Sequence, residues 1–573
     1  MFDLVVRGAT LVDGTGAPSR RADVAVADGR VAEVGAVEGR GRRELDADGL
    51  MVAPGFVDPH THYDAQLFWD PSASPSSVHG VTSVIGGNCG FTLAPLHAED
   101  ADYLRRMMAK VEGMPLAALE QGVDWNWETF GDYLGRLDGA IAVNAGFLVG
   151  HCALRRYVMG AEAVGREATD AEVAAMVTEL HAAIDAGGLG FSTTLSKTHS
   201  DGDGQPVASR WASEAEVLAL CAAVGEHEGT TLEGILDGDL DPFDDDEIDL
   251  LARMSAAGNR PLNWNVLTVD SRVPQRVPRQ LLAGDRAVEL GGRVVALTMP
   301  VLVPMNMSFL TYCALFMLPG WGEVMGLPVG ERMQRLSDPE TRAWMNARAN
   351  SDEAGVFRRL ADWENYVLGD TYSVGNEGLK GRTVKDVAAE RGSDAFATLL
   401  DIVIADDLRT ILWPIAPDGD PASWELRKSV WEDDRAMLGG SDAGAHLDRM
   451  CGAPYTTRFL GDMLRGRQLI SVEDAVRMIT SDPADLFGLR DRGRVRPGAH
   501  ADLVVFDPET IGAGHATLVA DLPGGSARLT SEALGIEHVF VNGVETVTGN
   551  QATGAVPGTI LRSGRDTATV PTR

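Results

Sequence analysis

A chain of 573 residues with 45% hydrophobic content is too long for one simple core and too apolar for disorder. Its 83 acidic side chains against 50 basic ones give a net charge of −33, which repels phosphate and argues against nucleic acid or an anionic membrane as partner. Five scattered cysteines, no apolar run approaching the ~18 residues of a membrane span and no basic-then-apolar leader point to the reducing cytoplasm.

Residues 1–55 alternate apolar and polar positions, as in Leu4-Val5-Val6, Thr10-Leu11-Val12 and Val24-Ala25-Val26, with turn signals at Asp13-Gly14 and Asp28-Gly29. The far end mirrors them in Leu503-Val504-Val505-Phe506 and His538-Val539-Phe540-Val541. Neither half closes a core alone, so residues 1–55 and 491–573 are expected to share one composite β-sandwich beside a middle region, residues 56–490.

That middle region opens with Gly55-Phe56-Val57-Asp58-Pro59-His60-Thr61-His62. Side chains on a strand repeat every two residues, so His60 and His62 point the same way, and two converging imidazoles suit a divalent transition metal. The plain alternative is two histidines near a turn. Cys89 closes the next apolar run, in Val84-Ile85-Gly86-Gly87-Asn88-Cys89-Gly90, where a barrel would bring it to the histidines. A thiolate ligand favours zinc over magnesium or calcium.

These stretches carry a resemblance. The apolar-Asp-x-His-x-His pattern after Ala53-Pro54-Gly55 resembles the first-strand signature of the amidohydrolase superfamily. The run from Gly80-Val81-Thr82 to Gly87-Asn88-Cys89-Gly90 resembles the N-acyl-D-amino-acid deacylase (D-aminoacylase) family. The resemblance implies that Cys89 is a metal ligand where other amidohydrolases use a carboxylated lysine, and that the two chain ends form one composite domain.

Short apolar runs then alternate with helical patterns to about residue 490. Strand candidates are 80–85, 140–148, 190–193, 230–236, 262–267, 294–298 and 436–440; helices are expected over 171–186 and 213–228, the second opened by a Ser213/Glu216 capping box. With the first strand this reads as a (β/α)8 barrel, α/β in class, with catalytic groups at strand C-termini. Residues 300–390, rich in Met, Trp and Phe, break the rhythm: an apolar lid or pocket, a buried helical insertion, or a subunit interface.

Asp442, in Gly440-Ser441-Asp442-Ala443-Gly444, resembles the superfamily's last-strand motif, where the aspartate binds metal and serves as general base and acid; an Asx-turn aspartate is the alternative. His151, in Gly150-His151-Cys152-Ala153-Leu154-Arg155, is read as lining the site and polarising the scissile carbonyl, or as a supporting histidine behind it. His199, Asn265, Arg155 and Arg458 are the candidate substrate contacts, with Arg210 a third cation for a substrate carboxylate.

One departure stands out. The family's fifth and sixth strands each carry a zinc-binding histidine; here Glu233 and Asn265 stand at about those places. The resemblance then implies one zinc ion held by His60, His62, Cys89 and Asp442, or two with Glu233 as substitute ligand, and one per chain is the expectation. Four protein ligands would close the site, so Asp442 is expected to bind loosely. The function expected is metal-dependent hydrolysis of a carbon–nitrogen bond in an N-acyl-amino acid, D-type, by a homo-oligomer acting on a small acylated substrate. A cyclic amide, imide or lactone substrate, and a metal-poor binding protein without catalysis, are the alternatives.

Overall fold

The computed structural model describes residues 1–239, 242–311, 313–416 and 418–572. Eight parallel strands form the barrel: Phe56–Asp58, Val81–Gly86, Asn144–Phe147 continued by Val149–Gly150, Gly190–Thr194, Thr231–Ile235, Pro261–Asn265, Arg293–Thr298 and Ala436–Leu438. Each pairs with the next in chain order. The third strand is broken at Leu148, its first half pairing with the second strand and its second half with the fourth. The ring closes where Thr61 bridges Ala443 and the His62 N–H donates to the Ala443 carbonyl at 2.7 Å. Nearly every strand residue is buried, which is why the runs read as continuous apolar stretches rather than alternating ones.

The helix Asp170–Asp185 is capped by Thr169, whose hydroxyl and backbone exchange hydrogen bonds with Glu172. The helix after the fourth strand runs Glu214–Val224 and stops before His227. Ser213 caps it, but Glu216 does not return the bond, because its carboxylate is engaged elsewhere.

Strands from both chain ends join one nine-stranded sheet that branches at Phe2–Leu11, which pairs with Arg20–Ala27, Gly41–Asp46 and Met51–Pro54. Leu503–Phe506 lies between Met51–Pro54 and Ile536–Val541, antiparallel to both. Leu4, Val6, Leu11, Val24, Val52, Leu503 and Phe540 bury one face of it together.

The insertion between the seventh and eighth strands has its own core. Phe309, Trp321, Trp363 and Phe396 stack in it, and it runs from Met307 to Leu412, past the residue-390 limit read from composition. Most of its aromatic residues, among them Phe309, Trp321, Trp363, Tyr366 and Phe396, face inward among the helices Val329–Ser337, Pro339–Ala349 and Ala395–Ala405, while Trp344 and Tyr372 are exposed, so the stretch is mainly a buried helical insertion. The Asn306 N–H donates to the Arg449 carbonyl at 2.7 Å, tying the insertion to the loop after the eighth strand.

His79 joins the barrel to the C-terminal segment. Its Nδ1 lies 2.7 Å from the Thr457 hydroxyl and its Nε2 donates to the Ser531 carbonyl at 3.0 Å. Burial pushes its pKa down to about 4. The folded value lies below the unfolded one, so acid favours the unfolded chain. The stabilisation is full above pH ~6.5 and about 3 kcal/mol is lost as pH falls toward 4. We expect the urea midpoint of the wild-type protein to fall more steeply between pH 6.5 and 4.5 than that of His79→Gln. An equal slope removes His79 as a cause.

Candidate metal centre

Asp58 ends the first strand, and the chain turns through Pro59 so that His60 and His62 both reach the barrel mouth. Thr61 between them donates its hydroxyl to the Ile85 carbonyl at 2.8 Å, which pins the turn to the second strand. Asn88 adds two bonds from Nδ2, to the Thr61 and Ile85 carbonyls at 3.1 and 2.9 Å. The chain leaves the second strand through Gly87 at φ 73°, where a Cβ would meet the Leu148 carbonyl at 2.2 Å. Cys89 follows at φ 56°, a left-handed conformation unusual for a residue with a side chain, costing on the order of 1–2 kcal/mol.

The two histidine Nε2 atoms and the Cys89 Sγ all lie within 4.8 Å of one another. Sγ is 3.4 Å from the nitrogen of His60 and 3.9 Å from that of His62. On the other side, Asp442 Oδ1 lies 3.3 Å from His60 Nε2 and 3.8 Å from His62 Nε2. Asp442 follows the eighth strand at φ 51°. Its neighbour Ser441 donates to Asp58 Oδ2 at 2.5 Å, binding the eighth strand's exit to the first. Asn265 Nδ2 donates to Asp442 Oδ1 at 3.1 Å. The histidines are sealed, while the Asp442 side chain is 21% exposed, so the centre opens on that side.

This donor set fits zinc. Two ligands each about 2.0–2.3 Å from a tetrahedral ion stand roughly 3.3–3.8 Å apart, close to the 3.3 to 3.9 Å found here. Electrostatics agrees. Burial pushes Asp58 up to about 7, Asp64 to about 6 and Glu112 to about 7, and raises Glu233 and the Cys89 thiol well above their ordinary ranges. Burial drives His60 down to about 3; on His62 burial is overcome by Glu112 and Asp442, and its pKa rises to about 9. Burial also opposes the Asp442 charge, yet the two imidazoles hold its pKa down to about 2. So many buried acids call for a cation, and a divalent ion satisfies them better than one proton on His62.

Glu233 sits beneath Cys89, its Oε2 accepting the Cys89 N–H at 2.9 Å, while its Oε1 has no hydrogen-bond partner. The structure does not bring every candidate together. His151 spends both ring nitrogens, Nε2 on Glu216 at 2.9 Å and Nδ1 on the Thr193 hydroxyl at 2.8 Å, so neither reaches a substrate. Arg155 is fully buried and paired with the same Glu216 at 2.5 Å, which removes it as a carboxylate receptor. The cause is local: the helix His151–Met159 begins directly at the strand end and turns both side chains toward Glu216. Arg458 donates to the Gly514 carbonyl in the C-terminal segment, and Arg210 to the His199 carbonyl at 3.0 Å. His199 is half-buried, its Nδ1 2.8 Å from the Thr194 hydroxyl and its ring edge-on to Phe91. Lys197 is exposed and paired with Asp237 at 2.6 Å.

Three residues near the centre escaped sequence reasoning. Glu112 Oε2 lies 3.6 Å from His62 Nε2. His446, whose acidity feels the charges of Asp442, His62 and His199, has its Nδ1 2.7 Å from an Arg449 guanidinium nitrogen. The string Asp442-Ala443-Gly444-Ala445-His446 was visible, and its histidine was the available signal.

A (β/α)8 barrel with two imidazoles, a thiol and a carboxylate at its C-terminal mouth defines a metal-dependent hydrolase scaffold. The chain belongs to the amidohydrolase family, whose family model matches residues 43–547. It is 30% identical to a D-aminoacylase of Alcaligenes xylosoxydans xylosoxydans over 572 residues, covering 98% of this chain and 97% of that one. It is also 30% identical to an N-acyl-D-aspartate deacylase from the same organism, over 98% of this chain and 95% of that one. A crystal structure of D-aminoacylase matches with a TM-score of 0.63 at 26% identity, covering 98% of this chain and 100% of that one. One of N-acyl-D-glutamate deacylase from Bordetella bronchiseptica, complexed with zinc and a phosphonate inhibitor, matches at 0.64 and 25%, with the same coverage. For D-aminoacylase a binuclear metal centre is described, with one-metal activation and second-metal attenuation.

Proposed function

We propose that this chain hydrolyses the amide bond of N-acyl-D-amino acids, with His60, His62 and Cys89 holding one zinc ion and Asp442 moving the proton. The observation that carries this is the compact His60–His62–Cys89 set beside a partly open carboxylate. The D-amino-acid class is taken from the relatives, which act on N-acyl-D-amino acids by name. When bound, zinc supplies Lewis-acid polarisation of the scissile carbonyl and an attacking water acidic enough to react near neutral pH. Asn265 holds Asp442 by one oxygen, which orients the carboxylate toward the mouth. Asp442 takes a proton from the attacking water and returns it to the leaving nitrogen as the C–N bond breaks, giving a carboxylic acid and an amine. Glu233 holds the thiol residue's backbone in place from below. His199, His446 and Arg449 line one side of the same mouth: Arg449 is the cation for a substrate carboxylate, while burial keeps His199 and His446 neutral and leaves them as hydrogen-bonding groups.

The donor set supports our reading of one ion rather than two. The fifth and sixth strands place Glu233 and Asn265, not histidines, where the family resemblance implies nitrogen ligands, and an amide is a weak zinc ligand. Five free, buried cysteines suit a cytoplasmic protein, and no helix among the described residues is long and apolar enough to cross a membrane.

The test pairs metal analysis with a substrate panel of N-acyl-D-amino acids, their L-counterparts, and cyclic amides, imides and lactones. We expect about one zinc per chain and a preference for the D-series of about tenfold or more. Turnover of cyclic substrates alone transfers the scaffold to ring opening. No turnover by metal-loaded protein makes it a binding protein.

A further inference from the structure

Glu112 comes from outside the barrel wall. It follows the helix Ala101–Val111, in the long connection between the second and third strands, and its N–H bonds the Met108 carbonyl at 3.0 Å. Its own carbonyl accepts the His446 N–H at 2.5 Å, so this helix end is fastened to the loop that carries Asp442. The side chain is 3% exposed, and its Oε2 stands 3.6 Å from His62 Nε2. That is too long for a direct hydrogen bond. It matches the spacing of two ligands sharing one ion, and it falls among the other donor separations at this centre, from 3.3 to 3.9 Å.

We propose that Glu112 is a ligand of the metal centre, delivered by a helix rather than by a strand end. The proposal rests on the reading of His60, His62 and Cys89 as that centre. Glu112 occupies the His62 side, Cys89 lies below, and Asp442 keeps the open side. Glu233 is the rival acid: its Oε2 is committed to the Cys89 N–H, which leaves only Oε1 to reach an ion.

Metal-stripped wild type, Glu112→Gln and Glu112→Asp are titrated with zinc against a chelator, and separately with cobalt(II) followed by absorption. Glutamine keeps the shape and removes the charge. Zinc Kd is expected to weaken about tenfold or more in Glu112→Gln. The visible cobalt bands should shift in intensity and position, while the thiolate-to-cobalt band from Cys89 remains. Unchanged Kd and unchanged visible bands overturn the proposal and leave Glu112 as a counter-charge to His62. Where Glu112→Gln does not fold, judged by circular dichroism of the metal-free protein, Glu112→Asp decides: its shorter acid must move the visible cobalt bands. Absence of the thiolate band in wild type is a different failure, because it removes the metal centre itself.

Discussion

Asp442→Asn is expected to lower kcat about a thousandfold while leaving KM and the fold nearly unchanged. The amide has almost the carboxylate's size, and asparagine tolerates the left-handed φ of 51° about as well as aspartate does. Its oxygen can still accept the Asn265 hydrogen bond, so the side chain stays in place. What disappears is the capacity to take a proton and give it back. His60 and His62, at 3.3 and 3.8 Å, also lose a negative neighbour, which adds to the loss. Steady-state kinetics on an N-acyl-D-amino acid, with circular dichroism as control, makes the measurement. Near-normal turnover would return Asp442 to a structural turn.

The double variant His60→Ala, His62→Ala should hold no stoichiometric zinc and show no measurable turnover. Cys89 and the neighbouring carboxylates do not retain the ion without the imidazoles: the thiol is buried beside acids that oppose its ionisation. The barrel should survive, because both imidazoles sit past the end of the first strand, above the packed interior. The cost is local, since two buried rings leave a cavity and the neighbouring acids take up protons. Bound metal at one per chain in this variant, by elemental analysis of gel-filtered protein, would displace the site from these residues.

The barrel was legible because most of its strands are short apolar runs ended by Gly, Pro or Asn, as at Pro59, Gly86, Asn265 and Gly439, and the helices carry caps such as Thr169 and Glu172. The convergence of His60, His62 and Cys89 was legible for the same reason: period two and strand-end position are local properties. Glu112 was not legible. Val111-Glu112-Gly113 reads as the polar end of a surface helix, and only the path of the whole connection folds it over His62. Ser213 and Glu216 show the opposite error. Their spacing is right for a reciprocal cap, but a buried His151 and Arg155 offer Glu216 stronger partners than one backbone N–H. Arg155 does not face the substrate side, and His151 takes the supporting role left open beside the catalytic one: a strand that runs straight into a helix aims its next side chains at the flank, not at the mouth.

The slot filled by Leu503–Phe506 has a consequence for biosynthesis. Met51–Pro54 pairs with it on one edge, yet that partner leaves the ribosome about 450 residues later, roughly half a minute to a minute and a half at ordinary elongation rates. Through that interval the emerging chain displays an unpaired strand edge directly attached to the first barrel strand. The first strand itself waits on Ala436–Leu438 and the Thr61–Ala443 bridge to close the ring. The sheet and the ring can therefore close only after the C-terminal segment has emerged.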